Sequence, residues 1–332
     1  MYGQSAEVGG AVMKGFTVKA LAVLLSAFFI GFGAMGCVSS GTSSHKEDTV
    51  TIIATNFALY DFARVWESEG IKAEMLIAPG SESHDMEATL SDIAKIGEAD
   101  VFLYAGGESD LWVADVFAAL GAKGESIIRI NALEYITGEA WIPHDHEEHT
   151  QEEHVHEEVD EHIWTSLPNA LALIEEIGRA AELAAEGRTE VSSENAEAYM
   201  EKLTALDREF RATVSSAVRT EIAVADRFPF VHMAEEYGIT YSAAFEGCSS
   251  NVEVPLAVIN SMIGEVNSKK LPVVFYIEFS DRTAADAVCA ETGAVPLLLH
   301  SCHNVTKAEF ESGVTYLDLM TRNLEHLKQA LH

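Results

Sequence analysis

The sequence predicts an α/β protein of two lobes, each an α/β sandwich on a parallel sheet, joined by one long rigid helix. Three observations carry that prediction. Short apolar runs alternate with helical patterns in both halves of the chain, the arrangement of parallel βαβ units. Between the halves lies the longest uninterrupted helical pattern, which contains no Gly or Pro. The chain has 332 residues, 48 % of them apolar, enough for two domains of ordinary size with a substantial core.

Taken in order, Val50–Thr55 (VTIIAT) reads as a buried first strand, followed by a helix through Tyr60 and Trp66. Ala73–Ala78 is a second strand closed by Pro79-Gly80, Asp85–Ile96 a helix, and Val101–Ala105 (VFLYA) a third strand ending at Gly106-Gly107. Leu111–Leu120 is a helix, Ser126–Ile130 a fourth strand, and Pro168–Ala185 is apolar at helical spacing. The long pattern then runs from Ser193 to Val218, with Ala196, Tyr199, Leu203, Leu206, Phe210 and Val214 stepping by three and four along one face. At about 1.5 Å per residue it would span roughly 39 Å, the width of a domain. A second series follows: strands at Glu221–Ala225, Thr240–Phe245, Val273–Phe279 and Pro296–His300, with helices at Val252–Val266, Arg282–Thr292 and Gly313–Leu331.

The N-terminus reads as a targeting signal. Lys14 and Lys19 precede an uncharged run from Ala20 to Met35, too short for a membrane span and flanked like a signal peptide. It ends in Ala34-Met35-Gly36-Cys37, which resembles a bacterial lipoprotein processing site with Cys37 as the lipidated residue. Residues 38–49 read as a flexible tether. The expected division is a signal peptide (1–36), a tether (37–49), an N-terminal lobe (50–165), connecting helices (166–219) containing the linker helix 193–218, and a C-terminal lobe (220–332). Loss of residues 1–36 leaves Cys248, Cys289 and Cys302, an odd count, with Cys248 and Cys302 the pair placed to meet.

A net charge of −32 argues against nucleic acid and against an anionic membrane surface as direct partners. It suits a cationic ligand, and one stretch points to which kind. His144 to His162 reads HDHEEHTQEEHVHEEVDEH, with six of the thirteen histidines and nine carboxylates, and no Lys or Arg lies between Arg129 and Arg179. So polar a run buries too little apolar surface to fold alone. Its imidazoles are transition-metal ligands, so His144, His146, His149, His154 and His156 read as an accessory metal-collecting loop.

Ligands of open α/β sheets bind beyond the carboxyl ends of the strands. Residues with ligating side chains stand there in both halves: His84 after the second strand, His162 before a helix, Asp226 beside Arg227, Glu278, and His300 with His303 in His-Ser-Cys-His. Arg227 is expected to pair with a carboxylate, and His232 and His303 to lie at the surface or behind the ligands. Glu246 is a weaker carboxylate candidate.

The stretches PGSESHDMEATLSDIAKIGEADVFLYAGGESDLW, DEHIWTSLPNA and GVTYLDLMTRNLEHLKQAL, in this order and spacing, resemble the zinc/manganese-binding substrate-binding lipoproteins of bacterial ABC transporters. The likeness covers nearly the whole chain beyond the signal. It implies two α/β lobes on one long helix with a metal between them, and a His-rich loop between the first and second ligands. His84 matches the first metal histidine, with Ser83 and Met86 where the family has Pro and an aromatic. His162 matches the second, within Asp160-Glu161-His162-Ile163-Trp164. At the third, Ala225 or Arg227 replaces the family's histidine, and neither ligates. His300 falls near the fourth, where the family has a carboxylate.

The expected metal site is therefore His84, His162 and His300, with Asp226 and Glu278 as the carboxylate candidates. Three imidazoles and one oxygen suit tetrahedral Zn²⁺, and the affinity order of divalent metals disfavours Mn²⁺. The function implied is an extracytoplasmic binding protein, monomeric and lipid-anchored, that delivers Zn²⁺ to an ABC-transporter permease. An Mn²⁺-binding protein of the same type is the near alternative, a zinc hydrolase or a metal-buffering adhesin the more distant ones. The chain has no HExxH, GxSxG or P-loop motif, so it is not expected to be an enzyme.

Overall fold

The computed structural model of the chain describes residues 49–81, 86–136, 160–245 and 253–332. The expected signal peptide, Cys37, His84, the loop histidines His144 to His156, Glu246 and Cys248 lie outside these residues.

The first lobe runs β1 (Val50–Ala54), α1 (Phe57–Arg64), β2 (Ile71–Met75), α2 (Leu90–Ile96), β3 (Val101–Tyr104), α3 (Trp112–Leu120), α4 (Ala122–Glu125) and β4 (Ile128–Asn131). Its four strands are all parallel, in the order β2-β1-β3-β4. Helices α5 (Leu167–Ala185) and α6 (Glu194–Ser215) follow. The second lobe runs β5 (Glu221–Val224), α7 (Val231–Tyr237), β6 (Thr240–Ala243), α8 (Leu256–Lys269), β7 (Val273–Tyr276), α9 (Thr283–Thr292), β8 (Val295–Leu298), α10 (Lys307–Glu311) and α11 (Tyr316–Leu331). Its sheet repeats the first in direction and order, β6-β5-β7-β8.

Alternation along β1 shows how the layers form. Ile53 turns outward to a cluster with Phe102, Val116 and Phe117, whereas Val50, Ile52 and Ala54 turn inward. In the second lobe, Ala223 and Val274 face an outer layer with Met262, Val266 and Val288 of α8 and α9. The inward faces of both sheets belong to one continuous core that also takes in α1, α5, α6, α7 and α11. The lobes therefore share their largest apolar cluster, although the two series in the sequence read as separately folded halves.

Helix α6 links them. Its 22 residues span about 33 Å. Ala196, Leu203, Leu206 and Phe210 are buried along the expected stripe, with Tyr199 and Val214 packed at its edge. The Asp61 carboxylate ties α6 to both lobes: it accepts from Tyr199 Oη (2.7 Å) and from the backbone N of Tyr316 (2.8 Å), and pairs with Arg64. Burial pushes the Asp61 carboxyl up, against the opposing pull of Arg64.

Several boundaries differ from expectation. The second strand is Ile71–Met75, not 73–78, because as an edge strand it alternates, with Ile71 and Ala73 inward and Lys72 exposed. Helices α2 and α11 start later than expected because Thr89 and Thr315 form capping boxes with Asp92 and Asp318. A third such box, Thr306 with Glu309, opens α10, a helix the apolar spacing did not show. Cys302 is a free, fully buried thiol, so it forms no disulfide.

Candidate metal centre

His162 stands where the chain re-enters the described residues, immediately before a turn of 3-10 helix at Ile163–Thr165 that leads into α5. Three bonds lock this entry: Thr165 N and Oγ1 both donate to the His162 carbonyl, and Asn169 Nδ2 donates to the Ile163 carbonyl. Asp160 sets the imidazole. Its Oδ1 lies 2.8 Å from the His162 backbone N and 3.2 Å from Nδ1, which leaves Nε2 to face the site. A carboxylate behind a ligating histidine fixes the tautomer in this way and raises the ring's basicity. Burial alone would push the Asp160 carboxyl up; the charge and hydrogen bonds of His162, with His232 adding to them, outweigh it and hold the carboxyl below its usual range. His232 Nε2 bonds the Asp160 carbonyl at 2.8 Å.

The second lobe contributes the segment after β8. Glu278 Oε2 accepts from Ser301 N at 2.8 Å and Oε1 accepts from Ser301 Oγ. Ser301 Oγ in turn receives the His303 backbone N–H at 3.2 Å. The His303 carbonyl accepts from Phe57 N, the first residue of α1, at 2.9 Å. Trp164 bridges the lobes: its Nε1 donates to the Ser301 carbonyl at 2.9 Å, and its ring stands edge-on to both His162 and His303.

These supports bring His162 Nε2 to 3.1 Å from His303 Nδ1. Two nitrogens at about 2.05 Å from one tetrahedral Zn²⁺ lie roughly 3.3 Å apart, so the spacing fits a shared ion. Glu161 joins them. One ligating atom from each of Glu161, His162 and His303 lies within 4.8 Å of the others, and no other such group of three occurs among the described residues. All three are buried, at 6 %, 1 % and 5 % exposure. A buried carboxylate and two imidazoles this close together make a donor set for a divalent cation.

The sequence-predicted residues divide accordingly. His162 is in the group. His300 is not: its Nδ1 accepts the Cys302 N–H at 3.0 Å, so in the neutral ring the proton sits on Nε2, which is buried with no hydrogen-bond partner among the described residues. Glu278 uses both oxygens on Ser301. Asp226 accepts from its own neighbour Arg227 N at 2.9 Å, lies 3.9 Å from the Arg227 guanidinium, and lines a separate cavity of about 460 Å³ with Phe279 and Asp281. His303, expected at the surface or behind the ligands, is buried and faces His162. Glu161 and His303 are the residues sequence reasoning passed over. The signals were present, Glu161 being adjacent to His162 and His303 sharing His-Ser-Cys-His with His300.

The family model described as "Zinc-uptake complex component A periplasmic" (ZnuA) matches residues 52–330. The zinc-binding lipoprotein AdcA of Streptococcus pneumoniae serotype 4 is 27 % identical over 297 residues, covering 89 % of this chain; the chain spans 58 % of that relative's length. The high-affinity zinc uptake system protein ZnuA of Bacillus subtilis strain 168 is 27 % identical over 318 residues, 93 % of this chain and 96 % of the relative. Among solved structures, the Zn(II)-bound ZnuA-like domain of S. pneumoniae AdcA superposes with a TM-score of 0.69 at 25 % identity, over 85 % of this chain and 99 % of that one. The lipoprotein YcdH of B. subtilis, 24 % identical, shares the fold with a TM-score of 0.71 over 86 % of this chain and all of that one.

Proposed function

We proceed from the family to which this chain belongs, the periplasmic component A of zinc-uptake complexes, and propose that the chain captures Zn²⁺ between its lobes and delivers it to an ABC-transporter permease. The observation that carries the proposal is the buried meeting of Glu161 and His162 from the first lobe with His303 from the second. Ligands drawn from both lobes let a small relative movement break the coordination set, so tight capture and release coexist. Two nitrogen donors and the affinity order favour zinc over manganese.

His84 is the proposed fourth ligand. Asn304, next to His303, donates from Nδ2 to the carbonyls of Ala78 and Ser81 at 2.9 and 2.8 Å. His84 is three residues from Ser81, a reach of about 10 Å at most. The imidazoles of residues 144–156 would raise the local zinc concentration beside the site. Cys37 would carry the lipid anchor after loss of residues 1–36, placing the protein outside the cytoplasmic membrane. His300, Asp226 and Glu278 act in this scheme as supports around the second-lobe segments.

The test is a zinc titration against a competing chelator, on protein lacking residues 144–158. One tightly bound zinc is expected, lost on replacing His162 or His303 by Ala. Absence of stoichiometric zinc in the otherwise intact protein would refute the proposal.

A further inference from the structure

Resting on the ligand set just proposed, we infer that Ser109 sets the metal preference of this site by holding Glu161 to one-oxygen coordination. Ser109 belongs to the turn after β3, which closes on itself: Asp110 Oδ2 accepts from the backbone N of Ala105 at 2.5 Å and of Gly106 at 3.2 Å. That fold-back fixes Ser109 at the carboxyl edge of the first sheet, 8 % exposed. From there it meets Glu161 at two points. Its Oγ donates to Oε1 at 2.6 Å and its backbone N donates to Oε2 at 3.2 Å.

A carboxylate offers about four lone-pair positions over two oxygens. Two donors from one residue, one to each oxygen, straddle the edge between those oxygens. A metal bound bidentately needs the same edge. With Ser109 in place, an ion meets a single oxygen along a remaining lone pair. A four-coordinate Zn²⁺ asks for no more than that beside its nitrogens. Mn²⁺ favours six ligands rich in oxygen and loses a donor by the same restriction. A carboxylate held at two points is also pre-oriented, so less side-chain freedom is lost when zinc binds.

Gly107 makes the arrangement possible. Its backbone is in an ordinary extended conformation (φ −90°, ψ −155°), so the reason for glycine is space rather than conformation. A Cβ there would sit 2.5 Å from the Cβ of Glu161 and closer still to Oε2. Glu161 is thus received by a cradle made of Gly107 and Ser109.

The experiment compares competitive Zn²⁺ and Mn²⁺ binding, and the visible spectrum of bound Co²⁺, in wild type, Ser109→Ala and Ser109→Thr, all lacking residues 144–158. Removing a group that orients a metal ligand costs about 10- to 100-fold in affinity. Ser109→Ala is expected to weaken zinc by about tenfold, to spare or strengthen manganese, and to shift Co²⁺ from intense four-coordinate bands towards weak higher-coordinate ones. Ser109→Thr, which keeps the hydroxyl, retains the wild-type preference. A Zn:Mn preference in Ser109→Ala within twofold of wild type would overturn the inference, as would an equal shift in Ser109→Thr. If Ser109→Ala fails to fold, Gly107→Ala replaces it. The added methyl pushes Glu161 off Ser109, the same loss of preference is expected, and an unchanged preference overturns the inference. Two controls separate this from the function itself. Full zinc affinity in Glu161→Ala, with loss in His162→Ala, removes the role of Ser109 but leaves zinc capture standing. No zinc binding in wild type removes both.

Discussion

His300 and His303 lie three residues apart in one turn, and the structure gives them opposite tasks, so replacing each by Ala separates them. His303 Nδ1 is one of the gathered donors, 3.1 Å from His162 Nε2. Without it, Glu161, His162 and the proposed His84 remain, with no ligand from the second lobe. A loss of at least 100-fold in zinc affinity is expected, about 2.8 kcal/mol at 1.4 kcal/mol per tenfold. His300 instead accepts the Cys302 N–H, at a residue whose φ is 63° in the left-handed region. Its removal strands a buried backbone donor and costs about 1–3 kcal/mol of folding stability. Zinc affinity should fall less than tenfold. The assay is paired: chelator competition for affinity, and urea unfolding of the zinc-free protein for stability. His300→Ala losing zinc while His303→Ala keeps it would refute the assignment of the two rings.

Other outcomes follow from the same geometry. Asp160→Asn keeps an acceptor near His162 Nδ1 but removes the charge, and should weaken zinc by about 10- to 100-fold in the same titration. Gly178→Ala gains about 1 kcal/mol of helix propensity. Its Cβ would, however, lie 2.5 Å from Cη2 of Trp66, whose Nε1 is held by the Ile174 carbonyl at 3.0 Å. Overpacking at about 1–3 kcal/mol should win, lowering the urea midpoint. Burial, foremost, raises the phenols of Tyr199, Tyr237 and Tyr316 above the ordinary value. The folded state therefore keeps protons that the unfolded chain sheds above about pH 10, so their stabilisation is intact below that pH and is lost as pH rises. Each phenol contributes up to about 1.4 kcal/mol per pH unit, and Tyr237→Phe should shallow the alkaline fall in stability by up to that amount.

Much of the architecture was legible because burial leaves a periodic trace. Strands covered on both faces read as continuous apolar runs, as in Val101–Tyr104, and α6 announced itself through Ala196, Leu203, Leu206 and Phe210. Edge strands were harder: β2 carries Lys72 and Glu74 among its apolar residues, so the apolar run after it drew the boundary too late. Helix starts at Thr89, Thr306 and Thr315 were written in short capping boxes that apolar spacing does not register. The shared core had no sequence signature, because an inward-facing Ile52 looks the same whether its neighbours come from one lobe or two.

By itself the sequence determined the alternation of strands and helices, the linking helix and the family resemblance, and it put His162 forward as a candidate, since each rests on local period or on a run of adjacent residues. Only the tertiary structure brings Glu161 and His303 to His162 in one buried group and leaves His300, Asp226 and Glu278 outside that group. The reason is directional. A ligand is defined by where a lone pair points, and for His300 and His303 that is set by Cys302, Ser301, Glu278 and Phe57, partners that reach across three separate parts of the chain.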